Sequence, residues 1–285
     1  MRGLALSLAF APLSPWLLLQ GLRVRRDTPR LHPACGPTHG TCSGPAQLRP
    51  LRLLAIGEST VAGVGTANHE EALTGQLARQ MARLTGRGVA WVACGLSGAS
   101  VATARTALLP QVARERVDLL LLVFGVNDVL EHTRPARYAK DLQALIGGLR
   151  ERVGNASALI AAAPPMGRFP SLPRPLNVYL GARAALLNGA TRKLAIGNAA
   201  QVAPLVGIEP ALIATDGIHP SAAGYAVWAL SLARAAIDQG FIKEARCTPT
   251  TGQPAPLTRR ARHLARCQAL GADAALPASK AVRPI

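Results

Sequence analysis

The chain has 285 residues, enough for one large or two small domains, and 49% of them are apolar while only 4% are aromatic, so a full but aliphatic core can be buried. A net charge of +17 suggests a nucleic-acid partner until the charges are located: residues 1–50 hold six Arg against one Asp, residues 241–285 hold eight Lys and Arg against two acids, and the stretch between them carries only +6. With no aromatic-rich basic face, zinc spacing or RNA-binding signature, this pattern excludes a specific nucleic-acid role and leaves weak attraction to an anionic membrane surface.

Residues 4–22 are apolar but broken by Pro12, Pro15 and Gln20, a run too short and interrupted for a good spanning helix. Positive charge follows the run at Arg23, Arg25 and Arg26, with only Arg2 ahead of it. A secretory signal has the reverse bias, so a cytoplasmic or membrane-associated location is expected rather than cleaved export. If the run did insert, the charge bias would leave the following domain on the cytoplasmic side. Residues 1–26 therefore read as an apolar segment that packs on the domain or lies on a membrane, and residues 27–50 as a Pro/Gly linker. The five cysteines, Cys35, Cys42, Cys94, Cys247 and Cys267, form no CxxC pair. One bridge, Cys35 to Cys42, is conceivable by spacing, but the chain has no disulfide-dense framework.

From residue 51 short apolar runs alternate with helical patterns. Strands are expected over 51–56, 89–94, 118–124, 158–163 and, weakly, 201–205; helices over 72–84, 101–112, 135–153, 176–197 and 222–238. Continuous apolar strands are those covered on both faces by helices. The alternation predicts an α/β domain over 51–240: a three-layer α/β/α sandwich around a flavodoxin-like parallel five-stranded sheet. Residues 241–285 read as a basic, largely disordered tail.

Three segments carry chemistry, each at an expected strand end or in a loop. Gly57-Glu58-Ser59 offers a serine after the first strand, where a helix start would aim backbone N–H groups at an anion; a helix-capping serine would look the same. Gly125-Val126-Asn127-Asp128 offers a neutral amide that can meet developing negative charge without titrating, with Asp128 anchoring the turn through its own backbone. Asp216-Gly217-Ile218-His219 places an acid three residues before an imidazole, so the carboxylate can hold the Nδ1 proton and free Nε2 to act as base. Pro220 keeps His219 extended, and Ser221 can start the last helix. No other histidine has such a partner, and no metal spacing occurs. Gly95-Leu96-Ser97-Gly98 lacks the closing glycine of a Gly-x-Ser-x-Gly elbow, and Gly63-Val64-Gly65 lacks the third glycine of a dinucleotide fingerprint.

Taken together and in order, Gly57-Glu58-Ser59, Gly95-Leu96-Ser97-Gly98, Gly125-Val126-Asn127-Asp128 and Asp216-Gly217-Ile218-His219 resemble the four motif blocks of the SGNH, or GDSL-type, hydrolase superfamily, over about residues 51–238. The resemblance implies a carboxylic ester hydrolase of the esterase, lipase or lysophospholipase type. Ser59 would be the nucleophile, His219 the base and Asp216 its orienting acid, with an oxyanion hole made by Ser59, Gly98 and Asn127; Gly95 is the weaker second-block candidate. Glu58 departs from the usual Asp, a structural position in the family. No cofactor is implied. The expected partner is a small-molecule or lipid ester, with a membrane surface as a further candidate and the oligomeric state open. The same site could serve an acyltransferase or a deacetylase acting on a sugar or lipid, and a catalytically silent anionic-surface binding module is the non-enzymatic alternative. Residues 164–180 are expected to flank the substrate pocket, with Pro164, Pro165, Met166 and Phe169 facing an apolar group and Arg168 or Arg174 an anionic head.

Overall fold

The computed structural model describes residues 6, 8–45, 48–198, 200–203 and 209–243, and the side chains within these except at 195–203. The basic tail, with Cys247 and Cys267, lies outside the described residues.

The strands are β1 (His39–Cys42), β2 (Leu51–Gly57), β3 (Val89–Gly95), β4 (Leu119–Val123), β5 (Ser157–Ala161) and β6 (Ala200–Ala203). The helices are α1 (Ser14–Asp27), α2 (Leu73–Thr85), α3 (Val101–Ala107), α4 (Val126–Leu130), α5 (Pro135–Val153), α6 (Leu176–Asn198) and α7 (Ala222–Asp238). Strand order is β1-β3-β2-β4-β5-β6. The last five are parallel, which is the expected flavodoxin-like sheet. β1 adds an antiparallel edge to β3, pairing His39 with Val92 and Cys42 with Val89. Residues 27–50 are thus more than a linker. The strand was missed because His-Gly-Thr-Cys has no apolar run and its burial merely alternates. Cys35 and Cys42 are free thiols, so no bridge forms between them.

The alternation of side chains along each strand divides the core into two layers. Leu54, Ile56, Leu120, Leu122 and Ile160 face α3, α5 and α6; Leu17 of α1 joins the same cluster. Leu53, Ala55, Leu119, Leu121 and Leu159 face α2 and α7, where Leu73, Leu77, Met81, Trp228 and Leu232 close the layer. All five residues of β4 are buried, as a central strand between two helical layers requires.

The helical run expected over 101–112 divides. α3 stops at Ala107, and a 3-10 turn over Leu109–Gln111 follows because Pro110 cannot donate to a continuing helix. α1 is anchored by one buried polar side chain. The Gln20 amide donates to Arg174 O (2.6 Å) and accepts from Leu176 N–H (3.1 Å), tying α1 to the start of α6. Among the described residues no helix is long and apolar enough to cross a membrane.

Candidate active site

β2, β3 and β4 run parallel and end side by side, with Gly57 in register with both Gly95 and Val123. A Cβ on Gly57 would lie 2.5 Å from Val123 O, and one on Gly95 would collide with Ala62 N. The absence of side chains there lets the chain turn sharply after β2 and lie across the end of β3. Residues 59–65 form successive turns rather than the start of a helix, held by Val61 N–H and Ala62 N–H donating to Glu58 O (3.0 and 3.1 Å). α2 begins only at Leu73. The Tyr225 hydroxyl donates to Val64 O at 2.7 Å and fixes this loop to α7.

The loop before α7 folds back on itself. Ala214 N–H donates to His219 O and Ser221 N–H to Leu212 O, and the Ser221 hydroxyl accepts from Gly224 N–H to cap α7. This presents Asp216 and His219 to the Ser59 turn. His219 Nε2 is 2.8 Å from Ser59 Oγ, and His219 Nδ1 is 2.5 Å from Asp216 Oδ2. Asp216 is buried, and its other oxygen accepts from Ile218 and His219 N–H, both at 3.0 Å. Burial raises the Asp216 pKa, but these three bonds outweigh it and hold the carboxyl below the usual range. The carboxylate stays charged across the neutral range and can orient an imidazole N–H.

Ser59, Gly98 and Asn127 line one cleft together with His219. Neither the Ser59 nor the Gly98 backbone N–H donates to another described residue, so both are free to meet an anion. The Asn127 amide is committed in the resting site: Nδ2 donates to Glu58 Oε2 (2.6 Å) and, at a longer 3.3 Å, to Ala99 O. Gly95 has a different part. Its backbone ends β3 and seats the Ser59 turn, and it does not line the cleft.

Glu58 is the site's unexpected organiser. It is buried, and its carboxylate accepts from Val126 N–H (3.2 Å), Asn127 N–H (3.1 Å) and the Asn127 amide. Burial pushes its pKa up to about 7 against the pull of these donors. Asp128 holds its own turn through its backbone, whose oxygen accepts from Thr133 N–H (2.9 Å), and its carboxylate also reaches across to accept from Val101 N–H (3.1 Å) at the start of α3. Burial raises it to about 6.

Two cavities meet at Ser59 and His219. One is small, about 70 Å³, and lined by Phe124, Val126, Phe169, Ile218, Val227 and Trp228. The other is an open cleft of about 1210 Å³ that runs between α1 and the start of α6. Pro164, Met166 and Phe169 line these cavities as expected, but Pro165, Arg168 and Arg174 do not. The arginines on the cleft are Arg25 and Arg30, from the N-terminal segment. Sequence alone does not place them there, because only tertiary contact brings residues 10–31 to the site. No cluster of metal-ligating side chains occurs among the described residues.

A parallel α/β sheet with a serine, an imidazole and a carboxylate linked beyond its strand ends defines the class of this molecule. The sequence matches the GDSL-like Lipase/Acylhydrolase family over residues 55–227, and the chain belongs to that family. Its fold is similar to an extracellular lipase from Streptomyces rimosus (17% identity, TM-score 0.50, covering 65% of this chain and 99% of that one). It is equally similar to a putative lipolytic protein of the G-D-S-L family from Desulfitobacterium hafniense (14%, 0.50, 64% and 98%) and to TesA (21%, 0.50, 67% and 99%). No curated protein matches by sequence.

Proposed function

We propose that this protein hydrolyses carboxylic esters through an acyl-enzyme intermediate. The observation that carries the reading is the unbroken Ser59–His219–Asp216 chain, with contacts of 2.8 and 2.5 Å. His219 Nε2 takes the hydroxyl proton as Ser59 Oγ attacks the ester carbonyl, while the Nδ1 proton stays on the imidazole and is held by Asp216. The carbonyl oxygen becomes an oxyanion that the free N–H groups of Ser59 and Gly98 can hold. The longer Asn127 bond to Ala99 O is the one an oxyanion can replace; the shorter bond keeps the amide anchored to Glu58. His219 then protonates the leaving alcohol and afterwards deprotonates the water that releases the acid, so no further reactant is needed.

Replacement of the nucleophile tests the reading. Ser59→Ala is expected to lower turnover of a soluble ester such as p-nitrophenyl acetate by about 10⁴-fold or more, as removal of a triad member does elsewhere. Undiminished hydrolysis by the purified, folded variant would contradict it.

A further inference from the structure

α1 presents three different faces. Leu17 and Gln20 are buried against the domain, with Val24 packed beside them. Ser14, Leu18, Gly21, Leu22 and Arg25 line the cleft that contains Ser59. Trp16, Leu19 and Arg23 occupy the remaining face at helical spacing, and all three are exposed. Trp16 is 49% exposed, Leu19 49%, and Leu18 and Leu22, on the cleft rim beside them, 65% and 54%. Leu8 and Leu13, just ahead of the helix, are 65% and 41% exposed. Half of the twelve exposed large apolar side chains among the described residues therefore lie between positions 8 and 22. A concentration of this kind marks a surface that something covers.

The charges say what covers it. Arg23, Arg25 and Arg30 follow the apolar residues directly, and none has an ion-pair partner among the described residues. Arg26 is engaged by Asp27. Leu and Trp beside unpaired arginines are the composition of a helix lying in a bilayer interface, with guanidinium groups reaching lipid phosphates and the apolar side chains entering the acyl boundary. The cleft opens along this same helix and has room for more than a small ester.

We propose that α1 docks on an anionic lipid bilayer through Trp16, Leu19 and Arg23, and that its cleft face guides a long-chain ester from that bilayer to Ser59. The second half rests on the ester-hydrolase reading; the docking itself does not.

The test uses the full chain with vesicles of phosphatidylcholine, alone or mixed with phosphatidylglycerol. Trp91 and Trp228 are buried, so Trp16 dominates any change in tryptophan emission. A blue shift with the mixed vesicles, and a much smaller one with phosphatidylcholine alone, is expected. The variant Trp16→Glu/Leu19→Glu touches neither the cleft nor the Ser59 contacts. It is expected to lose about tenfold or more of vesicle co-sedimentation and of hydrolysis of long-chain esters embedded in the vesicles, while p-nitrophenyl acetate hydrolysis stays at the wild-type rate. No blue shift would overturn the docking, as would binding unchanged in the variant (the basic tail alone then holds the vesicle) or a stable dimer that the variant dissolves. Vesicle binding without hydrolysis of any ester would instead count against the ester-hydrolase reading.

Discussion

The residue with the most consequences beyond Ser59, His219 and Asp216 is Glu58. It stands next to the proposed nucleophile, yet its carboxylate turns inward to hold both the backbone and the side chain of Asn127. Gln in its place would set an amide N–H₂ against donors that need acceptors. Glu58→Gln is expected to lower kcat by about 10²-fold with KM little changed, because a mis-aimed Asn127 removes one of the proposed oxyanion donors. The raised pKa has its own signature. A carboxyl whose folded value, about 7, lies above its ordinary 4.5 favours the fold in its protonated form. That stabilisation is full below about 4.5 and is lost as pH rises through about 7. Gln cannot titrate, so the Tm of wild type relative to Glu58→Gln is expected to fall between pH 5 and pH 8. A difference in Tm that does not vary with pH would refute the assignment.

At the scale of elements, a polar clamp at Gln20 adds to the apolar packing of Leu17 and Val24 that seats α1. Gln20→Ala would leave Arg174 O and Leu176 N–H without their buried partner, at a cost of about 1–3 kcal/mol. Hydrogen exchange of residues 14–27 is expected to accelerate while the central strands stay protected. Unchanged exchange in α1 would show that apolar packing alone holds it. Gln20 also shows what sequence could and could not convey. In the chain it reads as a flaw in an apolar run. Its partners lie 154 and 156 residues away, and no local pattern announces them. β1 was hidden for a different reason: an edge strand needs few apolar residues, because only part of its surface meets the core. β2, β4 and β5 were legible because burial on both faces requires nearly continuous Leu, Ile, Val and Ala, and a run such as Leu119–Val123 satisfies nothing else as well, whereas Ala-Gln-Val-Ala of β6 is only a weak run.

Over the whole molecule, four short segments spread across more than half of the chain converge at the carboxyl ends of β2, β3 and β4 and in the loop before α7. Their meeting was legible because each follows an apolar run or precedes a helix, and parallel topology gathers such points at one edge. The roles of Glu58 and Asp128 were not: buried carboxylates that brace other segments look in sequence like ordinary turn residues. One wall of the cleft was equally hidden, since residues 10–31 lie outside the matched family region, residues 55–227.

The central claim is that Ser59 is a nucleophile activated by His219. Treating the full chain with a fluorophosphonate and mapping the modification by mass spectrometry tests it most directly. One phosphonyl group on Ser59 is expected, with labelling lost in His219→Ala protein that remains folded. Modification elsewhere, or none, would contradict the claim.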